Sequence, residues 1–150
     1  MSQSLARLYV HLVFGTKDRI HLIKQEISNE LYSYIGGTLN NLGCRPVKIG
    51  GDEDHIHILC CLSKEITIIK LVKEIKQSSS IWIKTKSYEY RNFYWQDGYG
   101  AFSVCPRHVE NLISYINNQK EHHHKKSFRQ EFTEILDENG IDYDQLYLWD

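Results

Sequence analysis

No apolar run in this 150-residue chain approaches the ~18–20 residues that a membrane-spanning helix needs. The opening MSQSLARLYVHLVFGTKDR shows no signal-peptide cleavage pattern, and its apolar part is short and alternating. The expected location is therefore the cytoplasm, with no membrane partner. Cysteine is sparse: Cys44, Cys60, Cys61 and Cys105 form no CxxC spacing, and the adjacent pair would face opposite sides of a strand. That excludes a zinc knuckle or a disulfide framework and leaves buried, reduced thiols. Linkers, repeats and low-complexity segments are missing as well, so residues 1–150 read as one domain with its own hydrophobic core.

Charge of one sign is missing only on average. The net charge is −1, yet residues 130–150 carry seven acidic and no basic side chains. The first 129 residues then hold eighteen basic against twelve acidic residues, a net of +6. Basic residues gather in TKDR, in KLVKEIK through IKTKSYEYR, and in HHHKKSFR. Local fields rather than the mean steer a polyanion, although solvated helix faces account for this pattern equally well.

Residues 5–14, LARLYVHLVF, favour a strand, followed by the basic loop TKDRIHL. Ile27, Leu31, Ile35, Leu39 and Leu42 recur at helical spacing, with Gly36-Gly37 weakening the middle and Gly43 as a stop. CRPVKIGG and HIHILCCL read as paired strands about the turn GDED. ITIIKLVKEIKQSSSIWIK reads as a helix despite its serines, and FYWQDGYGAFSV as strand material with a bend. A helix opening at Pro106 runs to the histidines 122–124, and a last one runs from Ser127 to Gly140. The tail IDYDQLYLW is acidic and aromatic, which suits packing on another surface. This order predicts an α+β fold: a ferredoxin-like (RRM-like) antiparallel sheet, helices on one face, additional C-terminal helices, and an open face for a ligand.

Side chains alternate along a strand, so His55 and His57 project to one face while Ile56 and Ile58 project to the other. Two imidazoles at that spacing can hold one divalent ion; two solvent-facing histidines are the plainer alternative. Tyr115 and Gln119 stand one helical turn apart, beside the apolar stripe, where a tyrosine is more often packing. A phenol of pKa ≈ 10 is a weak nucleophile at neutral pH. An ion held by His55, His57 and the Gln119 amide oxygen can activate a phosphate for it.

These stretches resemble the single-tyrosine HUH transposases of small bacterial insertion sequences and their REP-associated tyrosine transposase relatives. The resemblance spans nearly the whole chain and rests on HLVFGTKDR, DHIHIL, WQDGYGAFSV and YINNQKEHH, with EFTEIL behind them. HUH denotes two histidines around a bulky apolar residue, here His55-Ile56-His57. The resemblance implies cleavage and rejoining of single-stranded DNA beside hairpin ends through a 5′-phosphotyrosine. Tyr115 would be the nucleophile, and His55, His57 and Gln119 the ligands of Mg²⁺ or Mn²⁺. It further implies a homodimer in which the tyrosine helix acts in trans.

From the residues themselves, Lys17, Arg19, Lys70, Lys73 and Lys76 can contact phosphates, which gives affinity without sequence reading. Trp95 and Tyr99, with Tyr94 and Phe102, offer faces for unpaired bases, if they are not core. Two rival readings remain at this stage. One is a non-catalytic hairpin-binding protein on the same scaffold. The other is a histidine-triad-like nucleotide hydrolase, whose third histidine is Leu59 here.

Overall fold

The computed structural model describes residues 2–122 and 125–150. Strands β1 (Tyr9–Gly15), β2 (Arg45–Asp52), β3 (His55–Cys61) and β4 (Gly100–Val104) form one sheet in the order β2-β3-β1-β4. Every neighbouring pair is antiparallel. Together with the helices this is the expected α+β arrangement with the ferredoxin-like strand order.

Helices α1 (Gln25–Asn41) and α2 (Ile68–Lys84) cover one face. Leu12, Phe14, Ile56 and Ile58 point into this layer and meet Leu31, Ile35, Leu39, Leu71 and Ile75. Full burial of such side chains contributes about 1.5–3 kcal/mol each. The Thr67 hydroxyl caps α2 by accepting from the Lys70 amide. The serine run does not interrupt this helix, because the Ser78 and Ser79 hydroxyls donate back to the carbonyls of Glu74 and Ile75.

Two strands are shorter than the sequence suggests. Tyr9 pairs with both Cys61 and Val104, the last residues of its neighbours, so the ladders end there, with one further bond from the Leu62 amide to the Leu8 carbonyl. Residues 93–99 form a turn instead of strand, tied to β1 by a lone bridge between Thr16 and Trp95. The Lys76 ammonium holds that turn by donating to the carbonyls of Gln96, Asp97 and Gly98 at 2.6–3.1 Å.

The face expected to be open is covered. Helix α5 (Phe128–Glu138) lies across it, packing Phe128, Phe132 and Leu136 on Val13 and Phe102, with Leu148 and Trp149 of the tail alongside. Sequence periodicity identified the helix's apolar stripe but not the sheet face that receives it. A reciprocal pair of bonds starts α5: the Ser127 hydroxyl accepts from the Gln130 amide, and the Gln130 side chain accepts from the Ser127 amide.

The helix opening at Pro106 is also not continuous. A short 3₁₀ turn leads into α3 (Val109–Asn117), Asn118 breaks the run, and α4 (Gln119–His122) follows. Asn118 leaves helical geometry while its amide bonds the carbonyls of Ser114 and Tyr115, a conformation asparagine tolerates. Of the histidine run, His123 and His124 lie outside the described residues. Helix α3 sits close on β2 because Gly50 has no side chain. A Cβ there would come within 2.8 Å of the Ile116 side chain and 3.0 Å of its carbonyl oxygen. Among the described residues no helix is long and apolar enough to cross a membrane.

Candidate active site: a buried histidine and carboxylate cluster

Strand β3 supplies two histidines to the covered face, and both are fully buried, at 0% exposure. Beneath the other face their neighbours Ile56 and Ile58 join the apolar layer, as alternation requires. Glycine makes the fit possible on both sides. Gly50 pairs with His57 in β2, and Gly15 pairs with His55 in β1.

Each imidazole is gripped at both nitrogens. His55 Nδ1 lies 2.7 Å from Asp54 Oδ1, and His55 Nε2 lies 2.8 Å from the Gln119 amide oxygen. A carboxylate at Nδ1 favours the proton there, which directs the Nε2 lone pair toward a cation. His57 Nδ1 lies 2.8 Å from His11 Nε2, and His57 Nε2 lies 3.1 Å from Glu131 Oε1. His11 is itself buried, and its pKa lies well below the usual histidine value, chiefly through desolvation and then through the neighbouring His57.

Glu131 ties the cluster together. Its Oε1 faces both histidines, at 3.1 Å from His57 Nε2 and 3.5 Å from His55 Nε2. Its Oε2 accepts from the Gln119 amide nitrogen at 2.9 Å and from the Tyr115 hydroxyl. The Tyr115 ring stands edge-on to His57, with centroids 5.8 Å apart. Burial, reinforced by the Glu131 carboxylate, pushes the Tyr115 phenol above its ordinary pKa. The hydroxyl therefore keeps its proton at neutral pH and donates it to Glu131.

The donor set fits a divalent cation. Ligand atoms of His55, His57 and Glu131 all lie within 4.8 Å of one another, and all three side chains are buried. The Gln119 oxygen adjoins them through His55. Two imidazoles, a carboxylate and an amide oxygen suit Mn²⁺ well and, through the oxygens, Mg²⁺.

The structure thus brings Tyr115, His55, His57 and Gln119 together within one chain, despite the break at Asn118. Glu131, Asp54 and His11 are the participants that the sequence reading missed. Glu131 left a trace: it falls between Phe128 and Phe132 on the buried stripe of α5, where a carboxylate needs a partner. Asp54 and His11 became visible only through the strand pairing and the turn.

The residues expected to touch DNA divide. Lys73, Lys76, Trp95 and Tyr99 line one cleft between α2 and the 95–99 turn. Trp95 is buried there, edge-on to Phe14 and Phe93, and its indole N–H donates to the Ser79 hydroxyl. Lys76 is committed to its three carbonyls, and burial draws its pKa down to about 8. Lys70 and Lys73 are exposed on α2. Lys17 is exposed in a 3₁₀ turn, and Arg19 from the same turn stacks on Trp149 at 5.4 Å. Tyr94 is exposed beneath the Lys84 ammonium, whereas Phe102 is buried under α5.

Comparison with known proteins gives the family and the fold of this chain. Residues 4–119 match the sequence profile of a family described as "Transposase IS200 like". A solved structure of a candidate transposase from Deinococcus radiodurans R1 is similar, with TM-score 0.62 and 21% identity over 79% of this chain and 98% of that one. A REP-associated tyrosine transposase, solved bound to a REP hairpin, is similar with TM-score 0.60 and 14% identity over 82% of this chain and 74% of that one. No curated protein matches the chain.

Proposed function

The chain belongs to the IS200-like transposase family, and we propose that it cleaves and rejoins single-stranded DNA beside hairpin ends, with Tyr115 as the nucleophile. In this reading the Tyr115 oxygen bonds to the scissile phosphorus as the bond to the 3′ oxygen breaks. The products are a 5′-phosphotyrosine and a strand that takes up a proton to leave with a free 3′-hydroxyl. The phenolic proton passes to Glu131 Oε2, which already accepts it in a hydrogen bond. Rejoining is the reverse attack by a 3′-hydroxyl, so the bond energy is conserved in the protein adduct.

His55, His57 and Glu131, with the Gln119 amide oxygen, would hold Mg²⁺ or Mn²⁺. Such an ion supplies Lewis-acid polarisation of a phosphate oxygen. Asp54 sets the orientation of His55, and Gln119 donates to the same Glu131 oxygen that faces Tyr115, which orients the carboxylate. The observation that carries the reading is the double contact of one carboxylate. Glu131 touches the histidine pair through one oxygen and the phenol through the other.

The site as it stands is roofed, since both β3 histidines are fully buried. Tyr115 is only half-buried, and a phosphate reaches it when the roof loosens around the ring, a motion of the lid type that leaves Glu131 beside the histidines. Tyr115 rests on the cluster of its own chain, which supports action in cis. A homodimer delivering the tyrosine in trans is the arrangement the family resemblance implied. Mixing Tyr115→Phe with His57→Ala protein separates the two: a restored adduct requires exchange between copies.

The test of the activity is direct. Protein is incubated with single-stranded DNA carrying hairpins and Mg²⁺ or Mn²⁺, denatured, and examined for DNA that migrates with the polypeptide. The parent forms this adduct and Tyr115→Phe does not. A folded parent that binds such DNA tightly, with no adduct across a panel of hairpin ends and both metals, would overturn the reading in favour of a binding-only role.

A further inference from the structure

On the far side of the sheet from the histidines lies a cleft of about 640 Å³ between α2 and the 95–99 turn. Its helical wall has two rows at four-residue spacing, an outer ridge of Ile69, Lys73, Gln77 and Ile81 and an inner row of Val72, Lys76 and Ser80. Tyr99 and Asp97 face them from the turn. Ile69 and Ile81 are each 69% exposed, a large apolar area left in water at both ends of one cleft. The α2 charges that line the cleft are Lys73, which is exposed, and Lys76, and exposed Lys70 follows Ile69 at its edge.

We propose that this cleft binds unpaired nucleotides of single-stranded DNA, outside the cleavage cluster; the identity of the strand rests on the function proposed above. Apolar side chains and the Tyr99 ring receive base faces, which stack on any π-surface and so need no particular sequence. Lys73 and Lys70 meet the phosphates. The Gln77 amide on the ridge and the Asp97 carboxylate on the facing turn give the two walls hydrogen-bonding groups for base edges. From Ile69 to Ile81 the ridge is about 18 Å long at 1.5 Å per residue, which holds about five stacked nucleotides. A concave, lysine-rimmed cleft of this volume suits successive planar groups better than the flat contact of a second copy.

The cleft is also wired to the catalytic strand. Lys76 fixes the carbonyls of residues 96–98 from below. Gln96 donates its amide to the Gly15 carbonyl at 2.9 Å and accepts the Gly15 amide on its side chain at 2.6 Å. Gly15 is the pairing partner of His55. A strand lying in the cleft is therefore held at a fixed position relative to the histidines.

Fluorescence anisotropy with a labelled oligothymidylate of about 12 nucleotides and a blunt duplex of similar length tests this. Both are measured with the full chain and with Lys73→Glu and Ile81→Glu, changes at exposed positions. Each variant should weaken single-strand binding at least about tenfold and shift duplex binding much less, with an unchanged urea midpoint. Lys73→Ala and Ile81→Ala should show smaller losses in the same order. Unchanged single-strand affinity in both Glu variants overturns the proposal, as does an equal loss on duplex. A dimer in sedimentation that the variants dissociate without loss of single-strand affinity also overturns it and assigns the cleft to a second copy. Cleavage is read separately. An absent Tyr115 adduct with cleft binding intact refutes the enzymatic reading alone, and an intact adduct at saturating DNA with no effect of the variants refutes the cleft alone.

Discussion

Both faces of the sheet are covered, one by an apolar layer alone and the other by an apolar cluster with a polar one set beside it. Under α1 and α2, strands β1 and β3 present Leu12, Phe14, Ile56 and Ile58 to an apolar layer. Under α5, the same strands present His11, His55 and His57 to Glu131, Gln119 and Tyr115. Residues one apart in sequence therefore sit in two kinds of interior. The first is stabilised by area removed from water and tolerates exchange of one apolar shape for another. The second exists only because the histidines, Glu131, Gln119 and Tyr115 serve as one another's partners, and losing one weakens the rest. Stability is concentrated on one side and reactivity on the other.

The sharpest way to test this division is Tyr115→Phe. The covalent adduct should vanish altogether, whereas the unfolding free energy from urea titration should fall by about 1.5–3 kcal/mol, the cost of a lost hydrogen bond to a charged group. Ile58→Ala, one residue from His57, should do the reverse. About 2–5 kcal/mol of stability is lost from the cavity, with adduct formation retained wherever the variant is still folded. Loss of activity in a folded Ile58→Ala protein would break the comparison.

Glu131→Gln comes next. It keeps the shape of the side chain and removes the charge of a ligand, so Mn²⁺ affinity measured by calorimetry should drop by more than the roughly 10–100-fold that losing an outer partner costs. The proton acceptor for Tyr115 is lost at the same time, so the adduct should not return at saturating Mn²⁺. Trp149→Ala has a smaller effect and an opposite sign. It removes the ring that braces Phe128 and Phe132 and is flanked by Arg19 and Arg129. The roof should open more often, and the adduct should form a few times faster at some cost in stability. An unchanged rate would mean that the tail does not hold α5 down.

The smallest expected signal is a contrast between thiols. Burial pushes Cys60 up to about 12, and Cys44 is buried with it, whereas Cys105 is exposed. Alkylation of the native protein near neutral pH should mark Cys105 quickly and leave Cys44 and Cys60 unmodified until urea is added.

How much of this was legible in the chain differs between the faces for the same reason. Alternation along HIHIL separates the isoleucines from the histidines, and helical spacing picks out the stripes of α1, α2 and α5, because these are local, periodic properties. The pairing of Tyr115 with Gln119 survived as a contact though not as one unbroken helix, since Asn118 turns the chain between them. Glu131 was not found, because its partners lie on β3 and α3, at positions no local period relates to α5. The covering of the ligand face escaped for the same cause. Trp95 reads as a stacking surface in an aromatic stretch until the Ser79 hydroxyl is seen to take its indole proton.

The clasp between Ser127 and Gln130 has a consequence for how this roof came to be fitted. A helix that writes its own first turn does not inherit its rotation from whatever precedes it. Glu131 follows Gln130 directly, so the clasp decides which side the carboxylate takes along with Phe128 and Phe132. Lys125 and Lys126, just ahead of it, can be exchanged for other residues without turning Glu131 away from the histidines.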